Sequence, residues 1–465
     1  MCSCRVEIVA LLAALAAGGL RAADSVPAEP REIPVPPIAT PMGILPGVAE
    51  LPSRPELPGV LTMDDGTPVT TPAQWARRRR EMLRTLEYYA VGQAPPAPGN
   101  VRGREEQSLL LADGRIRYRL IHLSFGPGAK LGFDIGIYTP VQGGPFPAVI
   151  MPAGTPPGAV PLPRLPNGPT QGKGVNVLLV VGGGAGAAPA PPRGGFGSPP
   201  DPARVAAENP ALARGFAYVV FNYNDCGEDT TLRQADGSWA FRHTRFFPAY
   251  PGFDWGLLRS WAWGVSRIVD YLETDPAIDR TRLIVTGASR TGKSAMVAAA
   301  FDERIALGAP AVTGGGGVGA YRLAGPRRSE TLDLMLTKYP NWFSPQLHPF
   351  RGQRERLPFD QHWFLAACAP RAFLALEGET DVISLPEAVR QSLLGARPAF
   401  ALHGVPERLG AHYAPHGHTF NADDWSALLD FADRHMLGKN VTRSFDRFPT
   451  EAELDAALVR SAAKK

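Results

Sequence analysis

The stretch Arg282–Arg304, RLIVTGASRTGKSAMVAAAFDER, carries two overlapping patterns. From Gly287 to Ser294 it satisfies G-x-x-x-x-G-K-[ST], the loop whose backbone N–H groups cradle phosphates. Centred on Ser289, it also reads as a strand, a tight turn and a helix, the arrangement that exposes a nucleophilic hydroxyl at the turn. Both readings need an apolar strand before the turn and a helix after it, so both predict alternating strands and helices. They differ in what the rest of the chain must supply.

A phosphate loop most often follows an early strand of its domain and needs an acidic residue on a neighbouring strand end to help hold Mg²⁺. Here the pattern begins only at Gly287. A serine nucleophile makes sharper demands. Its hydroxyl is unreactive until a base takes the proton, and the base must be oriented by an acid. In the α/β-hydrolase arrangement the chain order is serine, acid, histidine. The sequence supplies that order: Ser289, then Asp381 at the end of RAFLALEGETD, then His418 in PHGHTFNADDW. The nucleophile reading is therefore preferred, and no nucleotide is expected to bind. One feature departs from the common G-x-S-x-G turn: Thr291 stands at the fifth position and the glycine follows at Gly292.

Composition sets the outer limits. The chain has 465 residues, of which 44% are hydrophobic and 20% charged, enough for a sizeable core. A formal net charge of +4 is small for this length and gives no nucleic-acid footprint. The one basic run, Arg77–Arg80, sits in the amphipathic stretch TPAQWARRRREMLRTLEYYA and is expected to form a solvated helix face. Arg5, the apolar run Val6–Leu20 and small residues at Ala22 and Ala23 resemble a secretory signal over residues 1–23. That run is shorter than the about 20 apolar residues of a membrane span, so export to a periplasm or the medium, without stable membrane insertion, is expected. Removal of the signal would take Cys2 and Cys4 with it. Cys226 and Cys368 would remain, expected as two separately buried thiols. No Cys/His spacing suggests a metal, and no cofactor is called for.

Residues 24–65 are Pro-rich and predict an extended or wrapping arm. A helix is expected from about Thr71 to Ala90. RIRYRLIHLSF and LGFDIGIYTP alternate as paired antiparallel strands do, and FPAVIMPA and NVLLVVGG are short apolar runs of the buried-strand kind. Residues 183–202 form a Gly/Pro-rich loop. ALARGFAYVVFNYND then predicts a helix end, a glycine turn and a strand. In FDWGLLRSWAWGVSRIVDYLETDP, the residues Leu258, Trp261, Val265, Ile268 and Leu272 recur at helical spacing. RAFLALEGETD and PAFALHG read as later strands, and NADDWSALLDFADRHML as a closing helix capped by Asn421. The expected fold is a mostly parallel sheet with an antiparallel start and helices on both faces, an α/β-hydrolase over residues 66–445 followed by a tail at 446–465.

The G-x-S-R-x-G-K form of the turn resembles that of the glucuronoyl esterases, carbohydrate esterase family 15, which cut esters between glucuronic acid branches of xylan and lignin alcohols. The resemblance covers roughly residues 70–440. It is carried by WGLLRSWAWGVSRIVDYLETDPAIDRTRLIVTGASRTGKSAMVAAAFDERIAL, YPNWFSPQLHPF, LPFDQHWFLAACAPRAFLALEGETD and GHTFNADDWSALLDF in that order. It implies Ser289 as nucleophile, Arg290 as stabiliser of the oxyanion, and Lys293 as a contact to sugar hydroxyls. It implies Trp342 as a further substrate-binding aromatic. The family histidine precedes the tryptophan of the last block by six or seven residues, which selects His418, seven before Trp425, over His412 and His416. His362 falls in a family block as a structural or pocket-lining residue.

Two departures bear on the site. Many members carry a glutamate shortly after the nucleophile helix, where this chain has Val312 in PAVTGGGG. Some bacterial members place the acid after a later strand, which matches Asp381, with Glu377 and Glu379 as weaker alternatives. A family tryptophan two residues beyond that acid is Ile383 here, and Gly314–Gly317 adds further glycine. The implied function is that of a monomeric serine carboxylic ester hydrolase acting on a uronic-acid ester or a polysaccharide-linked substrate. An acetylxylan or broad-specificity esterase of the same fold and an inactive carbohydrate-binding relative are the alternatives.

Overall fold

The computed structural model describes residues 44–166, 200–323 and 330–462. The expected signal at 1–23, the strand NVLLVVGG and most of the Gly/Pro-rich loop lie outside the described residues.

Among the described residues nine strands make one sheet: β1 (Arg102–Leu111), β2 (Ile116–Phe125), β3 (Leu131–Pro140), β4 (Phe146–Met151), β5 (Ala217–Phe221), β6 (Ile278–Ala288), β7 (Ile305–Ala311), β8 (Ala372–Gly378) and β9 (Leu409–Ala414). Their order is β1-β2-β3-β5-β4-β6-β7-β8-β9. The first three pair antiparallel and β3 joins β5 antiparallel, and from β5 to β9 every neighbour is parallel. β1 was not marked by sequence: it is an edge strand, polar and almost wholly exposed, so it lacks the apolar alternation that signals a half-buried strand.

Period-two alternation sorts side chains to the two faces. Leu283 and Val285 of β6 join the apolar cluster that includes the helix Leu257–Leu272, whereas Ile284 joins the cluster that includes the helix Ala422–Leu437. Leu258, Trp261, Val265, Ile268 and Leu272 are all buried, so the helical stripe read from sequence is the packed face. Asn421 caps the last of these helices, accepting from Asp423 N at 2.8 Å and Asp424 N at 3.3 Å. Helices on both faces of a mainly parallel sheet make the three-layer α/β-hydrolase architecture.

Two expectations change. PAFALHG is not a strand. It ends the helix Pro386–Leu402, in which Val389, Leu393, Ala396 and Phe400 bury one face at helical spacing. The last strand is instead LGAHYA, β9, too short and too polar to stand out. The Arg run is not wholly solvated either. Arg78 is 3% exposed, pairs with Asp64 at 2.8 Å and lies 4.5 Å over the Trp363 ring, and Arg79 donates to Ala367 O and Ala300 O. The segment expected as a tail carries the helix Glu451–Ala462, with Leu454 and Ala457 buried.

The Pro-rich arm wraps from residue 44 onward. Pro46 O accepts from Tyr89 OH at 2.6 Å, and Pro58 O accepts from the Trp363 indole at 3.1 Å and lies 2.7 Å from His362 Nε2. His362 is therefore an anchor for the arm. Burial pulls its imidazole down to about 4, so it is neutral at physiological pH. Cys226 and Cys368 are both buried and unpaired. Among the described residues no helix is long and apolar enough to cross a membrane.

Candidate active site

β6 runs into the helix Arg290–Phe301 through a turn at Ser289 with φ 56° and ψ −125°. A non-glycine residue with positive φ is strained, and such strain gathers at functional sites. The flanking glycines explain why the turn closes. A Cβ on Gly287 would sit 2.8 Å from the Thr291 backbone, and one on Gly292 would sit 2.7 Å from Gly287 O and 2.9 Å from Ala311 O. The displaced glycine of the motif thus meets the same steric demand from one residue later. Thr291 takes over part of the turn's bonding: its hydroxyl donates to Ala288 O at 2.9 Å and accepts from Ala288 N at 3.1 Å.

The geometry gives the phosphate reading no support. Lys293, which would have to reach a phosphate, is 1% exposed, donates to Thr313 O and pairs with Glu330 at 2.7 Å.

Asp381 lies on the loop after β8 and His418 on the loop after β9. These strands are parallel neighbours, so the two loops leave the same sheet edge as the Ser289 turn. Backbone bonds clamp the two loops together: Glu379 N to Ala414 O at 2.8 Å and Thr380 N to His416 O at 3.1 Å. Gly378 permits the approach, since a Cβ there would lie 2.4 Å from His416 O.

Within this clamp Asp381 Oδ2 stands 2.9 Å from His418 Nδ1, while Asp381 Oδ1 accepts from Ile383 N at 2.8 Å and Ser384 N at 3.1 Å. Burial pushes the Asp381 carboxyl up, but the His418 hydrogen bond and charge, with the two backbone donors, outweigh it and hold the group below the ordinary carboxylate value. Ser384 Oγ lies 3.2 Å from the same His418 Nδ1.

The rival residues are elsewhere. Val312 is buried at the end of β7. Glu377 is buried at the end of β8, 0% exposed. Burial, then the nearby Asp381 charge, push it well above the ordinary glutamate value, against the lowering effect of a Thr313 backbone hydrogen bond. Glu379 is half-buried beside it. His412 and His416 each have an aspartate of their own, Asp423 at 2.9 Å and Asp424 at 3.2 Å.

Arg290 lies beside the serine at the head of the helix, where the first N–H groups have no carbonyl one turn back. Its guanidinium pairs with Asp229 at 2.5 Å and stands 5.3 Å from the Trp342 ring centroid and 5.8 Å from that of Tyr339. Burial lowers its proton affinity, but the Asp229 charge more than offsets this and keeps it protonated. Trp342, expected to bind substrate, is 2% exposed and does not line open space. Tyr339 stacks on it at 4.0 Å and its indole N–H donates to Asp229 at 2.7 Å. Lys293 is likewise buried, and Glu330 carries the more exposed end of that pair.

Four contributors escaped the sequence reading: Thr291, Ser384, Asp229 and Glu330. Only Thr291 sat inside a recognised motif, and there it stood as a departure. Gly314–Gly317 also finds its reason here, because a Cβ on Gly315 would sit 1.7 Å from Glu330 O and one on Gly314 would sit 2.7 Å from Glu330 Oε2.

Comparison with known proteins adds the family context. The family described as "Glucuronyl esterase, fungi" matches residues 191–404. A 4-O-methyl-glucuronoyl methylesterase of Podospora anserina is 31% identical over 415 residues, covering 87% of this chain and 67% of its own. A carbohydrate esterase family 15 glucuronoyl esterase from Caldicellulosiruptor kristjansonii superposes with TM-score 0.62 at 26% identity, covering 86% of this chain and 96% of its own. The glucuronoyl esterase catalytic domain from Hypocrea jecorina gives TM-score 0.64 at 25% identity, covering 88% and 97%.

Proposed function

The chain belongs to the glucuronoyl esterase family and is a carboxylic ester hydrolase, and on that premise we propose that it cleaves glucuronoyl esters through Ser289, His418 and Asp381. The observation that carries the reading is the Asp381–His418 contact at 2.9 Å on the sheet edge that also bears the strained Ser289.

Each group does one thing. Asp381 holds His418 Nδ1–H, which leaves Nε2 as the base that takes the Ser289 proton. Ser289 Oγ attacks the ester carbonyl, and the oxyanion is stabilised by the Arg290 backbone N–H and guanidinium. His418 returns the proton to the departing alcohol. Water, deprotonated by the same histidine, then attacks the acyl-enzyme and frees the uronic acid. The Lys293–Glu330 pair supports recognition of sugar hydroxyls, with Glu330 the end that reaches toward solvent. No cofactor takes part. The same proposal has residues 1–23 direct export to a periplasm or the medium, residues 66–445 form the catalytic unit, and the chain act as a monomer.

A second reading, broader esterase activity that includes acetyl esters, is favoured by Ile383. It is half-buried beside the exposed Val382, where the family resemblance expects a tryptophan near the sugar. A panel of benzyl glucuronate, methyl glucuronate, acetylated xylan and p-nitrophenyl acetate separates the two. The glucuronoyl reading expects the highest kcat/KM on benzyl glucuronate. Hydrolysis of the acetyl esters alone would discard it. Absence of labelling at Ser289 by a fluorophosphonate would leave only a carbohydrate-binding relative.

A further inference from the structure

The Arg290 guanidinium is held by one carboxylate that is itself fixed in place. Asp229 Oδ2 binds its Nη1 at 2.5 Å. Asp229 is fixed in turn from two sides: Oδ1 accepts the Trp342 indole N–H at 2.7 Å, and its backbone N donates to Asn224 Oδ1 at 2.9 Å. Trp342 is immobilised by packing, stacked under Tyr339 with planes 11° apart and edge-on to Trp261 at 6.0 Å. The Asp229 side chain is 9% exposed, whereas that of Arg290 is 36% exposed. The arrangement is a buried, rigid carboxylate gripping one edge of a guanidinium whose remainder faces outward.

Ester hydrolysis creates a problem that this grip answers. The substrate is neutral at the reacting carbon, and the product is a carboxylate at the same place. A free guanidinium in the oxyanion position would bind that carboxylate by two parallel charge-assisted hydrogen bonds. Product would then be held more tightly than substrate, and turnover would stall on release. A fixed aspartate on Nη1 removes one donor from that fork and cancels the net charge. It leaves the other N–H groups free to meet the developing oxyanion, whose stabilisation depends on donors set in place beforehand.

We propose that Asp229 is a positioning residue that both aims Arg290 and neutralises it, so that the site discriminates against its own carboxylate product. This rests on the reading of Ser289 and Arg290 as nucleophile and oxyanion stabiliser.

The test is inhibition by acid products. Asp229→Asn keeps the side-chain shape and an acceptor for Trp342 but removes the charge. The inhibition constant of glucuronate against benzyl glucuronate hydrolysis is expected to fall by about tenfold, the size of a charge-pair effect at a partly exposed site. Inhibition by the neutral methyl glucoside should not change. In the Arg290→Gln background the same substitution should no longer tighten glucuronate binding. Asp229→Ser carries the same expectations should the asparagine variant fail to fold. An unchanged or raised glucuronate constant in Asp229→Asn, or equal tightening with and without Arg290, overturns the proposal. The substrate reading fails separately: if the wild type cleaves p-nitrophenyl acetate but not benzyl glucuronate, acetate inhibition of that reaction still reads the Asp229 effect.

Discussion

His418 Nδ1 lies 2.9 Å from Asp381 Oδ2, and the side chain of Asp381 is fully buried while that of His418 is 16% exposed. Asp381 is thus sealed behind His418, with two further backbone donors fixing its other oxygen. Val312 and Glu377 offer no substitute at that nitrogen. Asp381→Asn is therefore expected to lower kcat by about 10⁴-fold through loss of the correct histidine tautomer. Circular dichroism and kcat on benzyl glucuronate check it: a folded variant with near wild-type turnover would remove Asp381 from the triad.

Ser384 shares the same histidine nitrogen at 3.2 Å, longer than the aspartate contact. A neutral hydrogen bond of this kind contributes about 1 kcal/mol, so Ser384→Ala should lower kcat by about fivefold and leave KM nearly unchanged. A loss as deep as that of Asp381→Asn would mean that the serine, and not the aspartate, sets the tautomer.

Gly292 abuts Gly287 O and the end of β7. A methyl group there has no room, so Gly292→Ala should destabilise the fold by about 1–3 kcal/mol and disturb the Ser289 turn. Thr291→Gly restores the common motif yet removes both Thr291 bonds to Ala288, and it should be less stable than wild type. Thermal unfolding gives the comparison, and a stabilised Thr291→Gly would show that the threonine bonds contribute nothing.

Glu377 supplies a pH signature. Its folded-state proton affinity is raised above the unfolded value, chiefly by burial. Above the ordinary glutamate value the unfolded chain releases this proton and the folded chain keeps it. Stability is therefore lost progressively as pH rises from that value toward the raised one. Glu377→Gln abolishes the linkage, so its stability relative to wild type should improve as pH rises above the ordinary glutamate value. Denaturant unfolding across that range is the measurement, and a pH-independent difference would contradict a protonated Glu377.

The features legible in the sequence were local or periodic. The apolar stripe of residues 257–272 and the strand before Ser289 each state their burial in their own spacing. The order Ser289, Asp381, His418 could be proposed from the sequence because each residue sits next to a strand-end or loop whose turn residues could be recognised. What lies between distant segments was not legible. PAFALHG and LGAHYA are both short and partly apolar, and only packing makes the first a helix end and the second the last strand. Glu377 and Asp381 are four residues apart in one apolar block, yet only Asp381 meets His418. Arg290 and Asp229 are separated by 61 positions, and Trp342 joins them from a third segment. Ion pairs and aromatic stacks of this range leave no period in the chain, because their geometry is set by where the sheet edge brings the loops. The chemistry of each side chain was therefore written in the sequence, while its partner and exposure were decided by tertiary packing.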